Sequence, residues 1–154
     1  MEKSSASDIS ALHRDLIDNL KERELIKTPR IEAAFRAIPR HLFLPEVNLE
    51  RVYSDEAIPT KKLAGGEAIS SSSQPAIMAI MLEQLDLKPG HRVLEIGAGT
   101  GYNAALMAHI VGKMGQVITI DLEEDIVAAA REHLAAAGFH QVQVLCRDGV
   151  TGYP

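Results

Sequence analysis

The run Glu95-Ile-Gly97-Ala-Gly99-Thr-Gly101-Tyr102 constrains this chain more than any other stretch. It follows the short apolar segment Arg92-Val-Leu-Glu-Ile96 and leads into a helical pattern over residues 100–111, so it reads as strand, sharp turn and helix start. Alternate glycines let the backbone turn tightly and let a ligand approach it within contact distance. The helix N-terminus behind them offers unpaired N–H groups to that ligand. Two more strands are expected at residues 116–120 and 141–146, separated by a helix over 123–137 that Gly138 closes. Strands alternating with helices imply right-handed crossovers and a parallel sheet, an α/β architecture.

Composition narrows the setting. The chain has 154 residues, 46% of them hydrophobic and 24% charged, enough for one globular domain with a real core. Sixteen basic against 21 acidic residues leave a net charge of −5, which disfavours nucleic acid or an anionic membrane as partner. Aromatics are scarce and Trp is absent, so base-stacking platforms are not expected. No apolar run approaches the roughly 20 residues that span a bilayer. The polar start has no signal-peptide core, and Cys146 stands alone, so no internal disulfide forms. A cytoplasmic location is the expectation, and no metal cluster is visible.

Residues 1–7 read as a disordered start. Residues 8–62 read as a helical cap and wrapping segment: a helix from Asp8 with an apolar stripe at Ile9, Leu12, Leu16 and Leu20, then a second helix opened by Thr28-Pro29 and ended by Pro39. Proline then punctuates an irregular path to Pro59, and residues 61–66 read as a loop. The run Ser70-Ser-Ser-Ser73-Gln74-Pro75 abuts an apolar helix start and is expected to cap that helix rather than form a linker. Met78, Met81 and Cys146 are expected in the core, and His13, His91, His109, His133 and His140 in solvent. Residues 63–154 are expected to form the sheet-bearing unit.

The glycine spacing discriminates between ligands. A dinucleotide fingerprint, G-x-G-x-x-G, counted from Gly97 and Gly99, needs its third glycine at position 102, where Tyr102 stands. The E-x-G-x-G-x-G form after a Val-Leu strand resembles motif I of class I S-adenosylmethionine-dependent methyltransferases, with their Rossmann-like fold. Asp121 closes the second strand 20 residues after Gly101, and Asp148-Gly149 closes the third. The resemblance implies that Asp121 accepts the ribose hydroxyls and that Asp148 lies near the adenine amino group. The cofactor-binding set it implies for S-adenosyl-L-methionine is Glu95, Gly97, Ala98, Gly99, Gly101, Asp121, Leu122, Asp148 and Gly149.

Further motifs narrow the family. Ala37-Ile-Pro-Arg-His-Leu-Phe-Leu-Pro45, Tyr53-Ser-Asp55, Ile58-Pro59, Ile69-Ser70, Gln74-Pro75, Leu87-Lys-Pro-Gly90 and Gly152-Tyr-Pro154 occur in one order. Together they resemble the protein-L-isoaspartate (D-aspartate) O-methyltransferases over about residues 10–154. In that family an Ile-Ser-Gln-Pro turn lies at the active site, its serine near the transferred methyl group and the substrate carboxylate. Here three residues separate Ser70 from Gln74, so either Ser70 or Ser73 inherits that catalytic position. Arg40 and His41 either assist there or serve packing.

The resemblance implies methylation of an isoaspartyl or aspartyl carboxylate in a protein or peptide, of the repair type. One alternative is aspartate methylation in a ribosomally made peptide; another is a non-catalytic cofactor-binding module. A carboxylate is ionised at neutral pH and needs no general base to attack a sulfonium methyl. Only three strands are readable, the first half of the family's sheet with the C-terminal half absent. The first strand is therefore expected to have a bare edge, to invite self-association and to leave the chain with little methyl transfer.

Overall fold

Three parallel strands, β3 (Arg92–Ile96), β4 (Gln116–Asp121) and β5 (Gln143–Cys146), lie in that order in the sheet of this computed structural model, which describes residues 6–153. Arg92 to Ile96 pair in register with Gln116 to Ile120, and Ile118 to Asp121 pair with Gln143 to Cys146. β4 is buried from Val117 to Ile120, as befits the middle strand of a covered parallel sheet. Helix α5 (Tyr102–Val111) follows β3, and α6 (Glu124–Ala136) follows β4. Apart from Asn103 and His109, every residue of α5 is buried, since the N-terminal helices pack on it from the side away from the sheet.

Those helices are α1 (Ala6–Glu22), α2 (Pro29–Ala37) and the single turn α3 (Leu49–Val52). α1 begins two residues before Asp8; residues 1–5 of the expected disordered start lie outside the described residues. Leu20, Phe35, Phe43 and Val52 are almost wholly buried and continue into the core around Leu106, Val117 and Leu134. The described residues contain no helix long and apolar enough to cross a membrane.

The largest departure from expectation is a second, two-stranded sheet. β1 (Ile58–Lys62) pairs antiparallel with β2 (Ala68–Ser72), so Lys61 and Lys62 leave the expected loop and the serine run becomes a strand. Serine and lysine have little β propensity, and pairing with β1 overrides it. Pro59 is tolerated because β1 has a neighbour on one side only.

The serines do not cap α4 (Pro75–Leu85): its N-cap residue is Gln74, without a side-chain cap bond. Asp55 caps it from a distance instead, its Oδ1 accepting the Ala76 N–H at 2.8 Å while Gln74 Nε2 donates to its backbone and side-chain oxygens. Thr28 likewise stands at the N-cap of α2 without a side-chain bond to its own helix. There Glu83 of α4 accepts the N–H groups of Lys27 and Thr28 at 2.7 and 2.8 Å and the Thr28 hydroxyl at 2.6 Å.

Three smaller expectations are corrected. Cys146 is exposed, because β5 begins at Gln143 and its end stands clear of the core. Met81 is 44% exposed, on the outer face of α4 with Ile77 and Leu85, whereas Met78 is buried. His13 and His133 are part-buried, donating to the carbonyls of Phe35 at 2.8 Å and Thr100 at 3.0 Å.

The Glu83 carboxyl lies below its ordinary value: partial burial would raise it, but the hydrogen bonds from Thr28 and Lys27 outweigh that. A depressed carboxylate contributes stability above its unfolded pKa and loses it as pH falls through the folded value. Glu83→Gln should therefore lower stability at pH 7 by about 1 kcal/mol after solvent screening, a drop of about 2–4 °C in Tm. The difference between parent and variant should shrink below about pH 4, and a gap in Tm that stays constant from pH 7 to pH 3 would exclude the carboxylate as its source.

Candidate functional site

The loop between β3 and α5 sits over the C-terminal end of β4. The N–H groups of Gly97 and Ala98 both donate to the Ile120 carbonyl, at 2.8 and 3.1 Å, and the Gly99 N–H donates to Asp121 Oδ2 at 3.2 Å. Gly97, Gly99 and Gly101 all have positive φ, which explains the alternate glycines. Their surroundings differ. A Cβ on Gly97 would meet nothing within 4 Å, so that backbone is open to a ligand. A Cβ on Gly101 would stand 3.1 Å from Leu134 Cγ and 3.3 Å from the Ala130 carbonyl, so that glycine lets α5 and α6 approach.

Three acids stand at the ends of the three strands. Glu95 is held by two donors, Thr119 Oγ1 at 2.6 Å and Asn103 Nδ2 at 2.7 Å. Burial pushes its carboxyl above the ordinary value, and the Asp121 charge adds to the effect. Asp121 accepts the Leu122 N–H at 2.9 Å through Oδ1, and Leu122 extends 66% exposed beside it. Asp148 caps the turn Gly149–Thr151 by accepting the Val150 N–H at 2.9 Å. That turn lies against β3: a Cβ on Gly149 would fall 2.5 Å from Ile96 Cγ2.

A cleft of about 300 Å³ opens beside the loop, lined by Glu95, Gly97 and Asn103 on one side and by Ser71, Ser72 and Ser73 on the other. Asn103 and Ser72 were not singled out in the sequence. The first lies two residues into a helix whose start was legible; the second depends on the hairpin. Asn103 Oδ1 is buried without a hydrogen-bond partner among the described residues, an acceptor available to a ligand donor. Ser73 lines this cleft, but Ser70 does not. Ser70 Oγ accepts from Thr60 Oγ1 at 3.2 Å and faces a neighbouring cleft of about 390 Å³ with Lys61 and His133. No group of His, Cys, Asp and Glu suited to a metal ion occurs among the described residues.

Arg40 lies away from solvent and His41 is half-buried. His41 Nδ1 is hydrogen-bonded to the Tyr53 hydroxyl at 2.7 Å, and Arg40 is completely buried.

The family model described as protein-L-isoaspartate(D-aspartate) O-methyltransferase (PCMT) matches residues 11–154. A protein-L-isoaspartate O-methyltransferase of Methanopyrus kandleri is 41% identical over 140 residues, covering 90% of this chain and 59% of that protein. A solved protein-L-isoaspartate O-methyltransferase is 37% identical with a TM-score of 0.82, over 92% of this chain and 44% of its own. A putative protein-L-isoaspartate O-methyltransferase from Plasmodium falciparum, solved with S-adenosyl-L-homocysteine, is 23% identical with a TM-score of 0.75 over 88% of this chain and 62% of its own, a likeness of fold. The chain spans 59–64% of the length of the first curated relatives it matches.

The two glycine environments predict unequal sensitivities. Gly101→Ala combines a positive φ with contacts to Leu134 and Ala130, whereas Gly97→Ala has only the backbone strain, about 1–3 kcal/mol. Thermal denaturation should show the larger loss for Gly101→Ala; equal losses would mean that the contact between α5 and α6 can yield.

Proposed function

This chain belongs to the protein-L-isoaspartate(D-aspartate) O-methyltransferase family, and from that membership we propose that its cleft binds S-adenosyl-L-methionine and serves methyl transfer to an isoaspartyl or aspartyl carboxylate of a protein or peptide, of the repair type. The observation that carries the reading is the glycine loop between Glu95 and Asp121, with its open backbone at Gly97.

The residues present fit this cofactor. Gly97 leaves room for close approach, Asn103 Oδ1 lacks a donor, and Asp121 stands beside the apolar, exposed Leu122. Glu95, Gly97, Ala98, Gly99 and Gly101 would hold its amino-acid portion, Asp121 and Leu122 its ribose and neighbouring ring, and Asp148 and Gly149 the adenine side. When bound, the cofactor supplies a methyl group on a sulfonium; the acceptor oxygen gains the methyl and S-adenosyl-L-homocysteine leaves. The chain's own task is positioning: the serine strand and the glycine loop bring acceptor and donor into line in a cleft that limits water. No general base is required, because the acceptor carboxylate is already ionised at neutral pH. A lone, free Cys146 is in keeping with a cytoplasmic setting.

We also propose that the chain self-associates through β3. That strand has β4 on one side only, and Leu94 and Ile96 are 39% and 66% exposed on it. The outer edge of β5 is plugged by Arg131, whose guanidinium donates to the Val144 carbonyl at 2.6 and 3.0 Å. Of the two edges of the parallel sheet, the β3 edge is the one left open for another strand among the described residues.

Two measurements test these readings. Calorimetric titration should show S-adenosyl-L-homocysteine binding that Asp121→Ala weakens about tenfold or more, since a buried hydroxyl pair left unaccepted costs roughly 1–3 kcal/mol. Heat with NAD and none with S-adenosyl-L-homocysteine would reverse the assignment. In light scattering, the parent should show a mass that rises with concentration and that Leu94→Lys lowers; a monodisperse monomer at all concentrations would end the association proposal.

A further inference from the structure

The cleft of about 390 Å³ that Ser70 faces lies between the hairpin and α6, beside the proposed cofactor cleft. Its walls are apolar at Phe43, Val47, Pro59, Ile126 and Ala129. Its charged groups are unequally engaged. Lys61 Nζ lies 2.8 Å from both Glu123 Oε2 and Asp125 Oδ1, so the one ammonium of the lining is already paired. His133 is tied through Nδ1 to the Thr100 carbonyl at 3.0 Å. Glu46, by contrast, is exposed and has no hydrogen bond or ion pair among the described residues. Apolar walls with a free carboxylate among them suit a side chain that buries an aliphatic stem and keeps a cationic tip near water. The two clefts adjoin: Gly99 and Thr100 line both, Ser70 lines this one, and Ser71, Ser72 and Ser73 line the other. At roughly 3.3 Å of rise per strand residue, Ser70 and Ser73 stand about 10 Å apart, the reach of about three residues of an extended peptide.

We infer that this second cleft is a specificity subsite for the polypeptide that carries the acceptor, and that its occupant is a lysine or arginine side chain about three residues from the methylated position. The inference rests on the methyl-transfer reading above and adds a feature of the substrate to it. An acceptor residue inside a polypeptide brings its neighbours along, and the span of the serine strand matches a separation of about three residues. An acidic side chain here would face Glu46 and Asp125, with only the paired Lys61 to offset them. An apolar side chain would fit the walls and leave Glu46 without a partner. A basic side chain uses both. Because Glu46 is exposed, its pairing contributes selectivity, and burial of the stem against Ile126 and Ala129 contributes most of the affinity.

The test uses the chain saturated with S-adenosyl-L-homocysteine and a set of isoaspartyl peptides with otherwise uncharged side chains. Each position near the isoaspartyl residue, out to about four on either side, carries glycine, norleucine or lysine in turn. Norleucine has the lysine stem without the ammonium. Calorimetry should find one position at which norleucine binds about tenfold or more tighter than glycine, through burial of the stem. Lysine there should bind about threefold tighter again, an advantage that shrinks as salt rises from about 50 mM to about 500 mM. Glu46→Gln should abolish the advantage of lysine over norleucine and keep the norleucine gain. Ala129→Trp, which fills the cleft, should abolish both gains while the glycine peptide and S-adenosyl-L-homocysteine bind within about twofold of the parent. Should that variant melt below the assay temperature, Glu46→Gln, at an exposed position, decides alone. If the parent binds the glycine peptide but gains at no position, or if the gains survive both substitutions, the inference is overturned and the methyl-transfer reading stands. A parent that binds none of the isoaspartyl peptides removes that reading and this inference with it.

Discussion

A buried arginine sets the terms for the N-terminal half of this molecule. Moving a guanidinium out of water costs several kcal/mol unless its donors are met, and Arg40 meets four of its five with oxygens from two separate segments. Residues 52–56 and 72–73 must therefore lie side by side, which fixes where the hairpin leaves the helical cap and where α4 begins. Only Nε stays unpartnered, so the arrangement tolerates little displacement. The end of the serine strand is the most constrained point of the hairpin, and it is the point that borders the cleft.

The helices around it are tied in a similar way, through carboxylates from elsewhere in the chain. Glu83 of α4 satisfies the start of α2, while Asp55, which follows α3, satisfies the start of α4 and pairs with Arg23 at 2.7 Å. Orphan N–H groups at a helix start need acceptors, and here the acceptors are supplied across tertiary contacts. Each cap thus also positions one helix against another. On the far side, Lys61 of the hairpin lies 2.8 Å from both Glu123 and Asp125 at the start of α6. That contact is exposed and screened, so it guides the hairpin more than it stabilises it.

The site combines a rigid wall with a tailored one. The glycine loop, Glu95 and Asp121 hang from the ends of parallel strands, where a doubly wound sheet presents its ligands. The serine strand faces them from a different sheet. Each wall has its own strand pairing, β2 with β1 and β3 with β4, and the two meet where the Ser71 carbonyl lies beside Gly99.

What the sequence determined by itself was everything governed by short range. Strand, glycine loop and helix follow one another within 20 residues of β3 and were readable from periodicity and spacing, as were Asp121 and Asp148 at the strand ends. The parallel order followed from the alternation of elements. Tertiary structure decided what depends on partners distant in the chain. Four serines carry no hydrophobic alternation, so only pairing with β1 reveals a strand, and only Arg40, more than 30 residues earlier, distinguishes Ser72 from its neighbours. Cys146 and Met81 have core-forming side chains, yet they stand exposed because no described element covers their faces. Propensity and periodicity report a residue's own preference; the environment that uses it is set by segments that only folding brings together.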